Sequence, residues 1–252
     1  MLSEIDVEQT FSDFVEEYGG DVSDRTPGKK STNADYVFHD ARVIAELKVL
    51  KEDPYKNKEF KKSHAKKVRT WIDKGWISPD QLRKATRLKE LPERCYRDIE
   101  RLYIRPLKTH VEKANAQIKS TREQSKLIDY KGLLILVSDG NFLLDPKNIR
   151  LALAGLFANG RYSGINTVSY LTVNVVTQRP DDPTLSRLWT NLYRLGQMEQ
   201  VSLEFLNDVY EKWADYFTGV TGIPIRKVSE MNEEGLTEVD VLQDTWFVRP
   251  DV

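Results

Sequence analysis

Asp35, Glu46 and Lys48 lie within one short stretch and are the residue types that phosphodiester hydrolysis calls for. That reaction needs a water made nucleophilic and a leaving oxygen whose charge is stabilised. A divalent cation does both, and carboxylates hold it. Hard cations such as Mg²⁺ take oxygen ligands and keep several waters. A lysine beside them positions the water and offsets phosphate charge, with a pKa tuned by its surroundings. Asp35 and Glu46 are therefore the candidate metal ligands and Lys48 the candidate ammonium. The expected cofactor is Mg²⁺, with Mn²⁺ as a substitute.

These side chains must be brought together by strands. The runs Ala34–His39 and Arg42–Leu50 both read as strands, and Asp40-Ala41 between them suits a tight hairpin. In the second run Val43, Ala45, Leu47 and Val49 alternate with Ile44, Glu46, Lys48 and Leu50. A period of two places Glu46 and Lys48 on the same face. The bare Glu-x-Lys pattern is not specific, because Glu59-Phe60-Lys61 repeats it in a lysine-rich helical stretch. Only the first copy lies in an aliphatic strand behind another strand carrying an aspartate. On their own, the three residues fit the exposed face of an ordinary edge strand as well as they fit a site.

The segment Asn33-Ala34-Asp35-Tyr36-Val37-Phe38, followed by Ile44-Ala45-Glu46-Leu47-Lys48, resembles the signature of the PD-(D/E)xK nuclease superfamily. The resemblance implies a restriction-endonuclease-like fold, with a core of helix, three strands, helix and strand. It implies Mg²⁺-dependent cleavage of nucleic acid, DNA more often than RNA. The superfamily's opening helix often lends a further glutamate to the metal, which makes Glu8 a fourth catalytic and metal-binding candidate. The helix before the fourth core strand often carries a polar residue that reaches the metal site or the substrate phosphate, which points to Gln117 or Lys113; a solvated helix face is the simpler explanation of both. Two departures are clear. Ala34 stands where a proline often precedes the first aspartate, and a long helical stretch follows the lysine strand.

The remaining elements frame that hairpin. Val7, Phe11, Phe14, Val15 and Tyr18 predict an amphipathic helix over residues 4–18, ended by Gly19-Gly20. Asp21 to Asn33, with Pro27-Gly28, reads as a short strand or a loop. Residues 51–127 are polar and helical in pattern, with a long helix from Pro92 to Leu127 that Pro106 should kink or divide. Gly132–Val137 and Thr167–Val176 read as buried strands. Helices are expected at 146–158, 183–195 and 200–218, and strands at 223–228, 238–242 and around Trp246. The order favours an α/β (α+β) fold, a mixed sheet flanked by helices. We expect a single domain over 1–252, with a basic helical insertion at 51–110.

Charge adds a second signal. Net charge is −1, yet the span from Lys48 to Lys131 holds 24 Lys and Arg against 12 Asp and Glu. That asymmetry suits a surface meeting a polyanion. Lys61, Lys62, Lys66, Lys67 and Arg69 form its densest run and are candidate phosphate contacts. Trp71 and Trp76 are expected to pack between helices rather than stack on bases. Asp139-Gly140-Asn141 is expected to serve as a turn.

Other chemistries lose support. His39, His64 and His110 form no zinc-like cluster, and Cys95 alone permits neither an internal disulfide nor a cysteine-rich zinc site. Phosphate-cradling, dinucleotide-binding and serine-hydrolase motifs are absent from the sequence. No apolar run reaches bilayer length, and the start Met1-Leu2-Ser3-Glu4 lacks signal-peptide character. A cytoplasmic endonuclease, of the restriction or phage-defence kind, is the leading expectation. Its partners would be nucleic acid and a second copy of the chain in a homodimer. The rival is a binding module that grips nucleic acid or a partner protein without cutting.

Overall fold

The computed structural model describes residues 5–23, 33–51, 56–84, 91–141, 146–157, 161–179, 182–193, 199–227 and 246–248. Its centre is a six-strand mixed sheet flanked by helices. Along the sheet the order is β1 (Asp21–Val22), β2 (Tyr36–Phe38), β3 (Val43–Leu50), β4 (Lys131–Ser138), β5 (Thr167–Thr172) and β7 (Asp182–Tyr193). The first three strands are antiparallel, β3, β4 and β5 run parallel, and β7 returns antiparallel. β8 (Ile225–Lys227) and β6 (Val176–Arg179) also pair with β7, and β9 (Trp246–Val248) pairs with β6.

Alternation along the central strands divides the core into two layers. Ile44, Leu50, Leu134 and Leu136 face one apolar cluster, together with Trp71, Leu107, Val111, Ala114 and Ile118. Val43, Ala45, Leu47, Leu133, Ile135 and Val137 face the other. The first layer is built from α2 (Lys58–Asp73), α3 (Pro79–Lys84), α4 (Glu93–Gln124) and α5 (Pro146–Phe157). The second is built from α1 (Val7–Tyr18) and α6 (Leu203–Thr221). With both faces covered, β4 is buried from Gly132 to Ser138, as its continuous apolar run predicts.

Several expected elements form with small shifts. Asp6 caps α1 by accepting from the Glu8 and Gln9 amides, and Gly19 ends the helix at φ 91°. The β2–β3 turn is closed by the Arg42 amide donating to the His39 carbonyl, with Arg42 at φ 52°. The expected strand at Thr167–Val176 stops at Thr172, and Val176 opens β6. Pro106 does not divide α4, which runs unbroken for 32 residues, including across position 110, the expected end of the insertion. The expected strand at 238–242, and Pro27-Gly28, lie outside the described residues.

One expectation is overturned. The helix predicted over 183–195 is the strand β7. Leu185, Leu188, Trp189 and Leu192 have the i, i+3, i+4, i+7 spacing of a helix face. The spacing misleads because the strand is covered on both sides. Arg187, Leu188, Trp189, Thr190 and Asn191 are all buried in succession, so no polar alternation is left to betray the period of two.

Candidate active site

The site begins with the register of the hairpin. Tyr36 lies opposite Ala45, and one further step places Asp35 opposite Glu46. The two acids are tied to each other's strand. The Leu47 amide donates to Asp35 Oδ2 at 2.9 Å, and the Asp35 amide donates to Glu46 Oε2 at 3.1 Å. Glu46 and Lys48 point into the layer that contains α4, and Lys48 Nζ donates to Glu46 Oε1.

α4 completes the pocket. Lys48 Nζ also donates to Gln117 Oε1 at 2.9 Å, and Gln117 Nε2 donates to the Asn33 carbonyl at 3.1 Å. One turn later, Thr121 Oγ1 accepts from the Ala34 amide at 2.7 Å. Gln117 and Thr121, spaced i and i+4, thus hold the backbone that delivers Asp35. The expectation from the sequence is Gln117 or Lys113, of which Gln117 touches Lys48. It does not include Thr121, for which the spacing from Gln117 is the one sequence signal.

Two carboxyl groups and an ammonium crowd together at the site. Glu46 is fully buried, while Asp35 is half-buried. Burial, reinforced by the neighbouring Asp35 charge, pushes the Glu46 carboxyl up to about 8, against the opposing pull of Lys48. A divalent cation would relieve that repulsion. The donors offered are carboxylate oxygens, which suit a hard ion that completes its shell with water and substrate oxygens. In the chemistry of their donors Asp35 and Glu46 would suit Mg²⁺ or Mn²⁺.

Glu8 makes no contact with this pair that fixes its place; its helix lies in the other layer. Glu8 lies exposed in the first turn of α1, whose apolar face packs on the opposite side of the sheet from Glu46. Among the described residues no three Asp, Glu, His or Cys side chains gather in a group able to hold a metal.

The basic candidates fall on two helices. Lys61, Lys62, Lys66 and Arg69 are exposed on α2, and Lys62 pairs with Glu59 at 2.7 Å. Lys67 is partly withdrawn, 3.5 Å from Asp98 on α4. Trp71 is fully buried and donates Nε1 to Asp98 at 3.0 Å, which makes it a packing residue. Lys113 is exposed on α4, one turn before Gln117. Gly140 sits at φ 88° in the turn after β4, where Asp139 Oδ1 accepts from Asn174 Nδ2 at 2.6 Å.

No family model, curated protein or solved structure matches the chain.

Proposed function

We propose that this chain is a metal-dependent nuclease of the PD-(D/E)xK kind, built on a restriction-endonuclease-like fold and acting on DNA. The observation that carries the reading is the placement of Asp35 opposite Glu46 across the β2–β3 hairpin, with Lys48 on the Glu46 face and pinned by Gln117. A helix, a hairpin bearing the acids, a long helix and then a buried parallel strand is also the element order expected of that superfamily. A bare edge-strand face would leave Glu46 in water, whereas here it is fully buried.

In the proposed reaction Asp35 and Glu46 hold the cation. Held there, a divalent cation would supply Lewis acidity toward water and phosphate. Lys48 donates a hydrogen bond that aims the water at phosphorus, and Gln117 keeps its ammonium in place. The water oxygen bonds to phosphorus as the opposite ester P–O bond breaks, and the proton the water loses is balanced, through solvent, by the one the leaving oxygen takes up. The exposed cations of α2 contact flanking phosphates. Because one pocket cuts one strand, cleavage of a duplex calls for a homodimer. A cytoplasmic role in restricting invading DNA is the setting we propose.

The test is incubation of plasmid, linear duplex, single-stranded DNA and RNA with Mg²⁺, Mn²⁺ or EDTA, beside Glu46→Gln and Lys48→Ala. The expected result is metal-dependent cutting that both variants lose. Binding without cutting in every metal sinks the enzyme reading and favours the non-catalytic module.

A further inference from the structure

We propose that His110 and Lys113 form a phosphate subsite beside the pocket, taking the backbone phosphate next to the one at Lys48. This inference rests on the nuclease reading above, since it assigns a place to the strand that reading requires.

The placement follows from α4. Gln117 touches Lys48, which fixes the register of the helix on β3. Lys113 and His110 lie one and two turns before Gln117 on the same helix face, about 6 Å and about 10 Å away along the axis. α4 is the last helix of the crossover from β3 to the parallel strand β4; with Gln117 at Lys48 and Ile118 at Gly132, opposite Ile44, it runs back against their direction. Residues before Gln117 therefore lie toward the end of β3, past Lys48. Farther along α4 in the same direction Asp98 anchors α2, the helix with the exposed cations. A strand leaving the pocket toward α2 passes Lys113 and His110 on the way.

The chemistry of the two residues fits an anion. His110 is half-buried, and its ring makes no hydrogen bond among the described residues. Lys113 is exposed and makes no ion pair among them. The His110 pKa is lowered first by burial, then by the charges of Lys48 on β3 and Lys113 on its own helix. These are the charges that bear on the ring, and both are positive. A neutral imidazole still offers one N–H donor, and Lys113 offers an ammonium. Phosphate oxygens accept from both and offset the crowding of cations. In the sequence His110 belongs to no histidine cluster, and its spacing from Gln117 is its one mark.

The experiment measures binding of a short labelled DNA duplex and a single strand in EDTA, where no cutting occurs. Wild type is compared with His110→Ala, His110→Gln, Lys113→Ala and the double alanine variant. Thermal melts check that each variant is folded. The expected result is weakening of about tenfold or more in the double variant, with Lys113→Ala lowering the salt slope by about one. His110→Gln, which keeps a donor, should recover part of the loss. His110 ring NMR signals should shift on adding the duplex. Unchanged affinity and salt slope in a folded double variant overturn the proposal. So do ring shifts caused by inorganic phosphate but not by DNA, which would mark a site for free phosphate. Metal-dependent cutting with unaltered binding in the double variant removes the subsite and leaves the nuclease. Binding that depends on His110 and Lys113, with no cutting in any metal, keeps the subsite and removes the nuclease.

Discussion

Gln117 joins Lys48 to the backbone before Asp35, accepting from the ammonium at 2.9 Å and donating to the Asn33 carbonyl at 3.1 Å. One side chain on α4 therefore sets both the lysine and the chain segment that carries a carboxylate. Supporting interactions of this kind around metal sites are worth about tenfold to hundredfold in affinity or activity. Gln117→Ala is expected to lower metal-dependent cutting by about that factor while leaving the fold intact. Turnover assays beside a thermal melt check both halves.

The buried carboxyl makes stability depend on pH. The Glu46 pKa is about 8 in the folded chain, against an ordinary value of 4.5. The native state then binds more protons than the unfolded state between those values. Its contribution to stability is full below about 4.5 and is lost as pH rises through about 8. In EDTA, the melting temperature of wild type should fall across that window relative to Glu46→Gln, which has no such titration. Parallel slopes for the two proteins would remove the assignment.

Metal binding should act in the opposite sense. A cation that binds only the folded state adds about 2.7 kcal/mol at a hundredfold excess over its dissociation constant. It must displace the Glu46 proton, so its apparent affinity should rise toward about pH 8. Differential scanning calorimetry with Mg²⁺ or Mn²⁺ should raise the wild-type melting temperature, more so at the alkaline end. Asp35→Asn and Glu46→Gln should show little response.

The exposed cations of α2 are expected to serve affinity and not chemistry. Replacing Lys61, Lys66 and Arg69 together by alanine should weaken DNA binding. The salt slope should fall by about one for each phosphate that is no longer neutralised. Cutting at saturating DNA should be retained. Equilibrium binding at several salt concentrations, with single-turnover kinetics, separates the two effects.

A structural prediction falls at Gly132, where β4 begins. A Cβ there would run into the Gly164 carbonyl oxygen. That loop is held to α4 by the Gly164 amide donating to Asn115 Oδ1 at 2.8 Å, so it cannot easily retreat. Gly132→Ala should destabilise the fold by about 1–3 kcal/mol through overpacking. Urea denaturation measures this directly.

The parts of the site that are legible in the sequence are those set by local period. Val43, Ala45 and Leu47 alternating with Ile44, Glu46 and Lys48 reveal a strand and its faces without any tertiary information. β7 reads wrongly as a helix because covering both of its faces removes that alternation. For α1 the apolar stripe tells which side of the helix is buried, not which face of the sheet receives it. Thr121 and His110 lie far along the chain from Asp35, and their approach depends on how a long helix is registered on β3. No local pattern encodes that register.

The paired bonds between the hairpin acids and each other's backbone have a consequence for how the site comes into being. A one-residue slip of β2 against β3 would turn every side chain of the slipped strand to the other face. Here it would also break both the Leu47–Asp35 and the Asp35–Glu46 bonds. The hairpin thus proofreads its own alignment with the two acidic side chains of the candidate site. A chain with the strands misaligned would lack both bonds, so the pairing of Asp35 with Glu46 is completed only once the strands have found their partners.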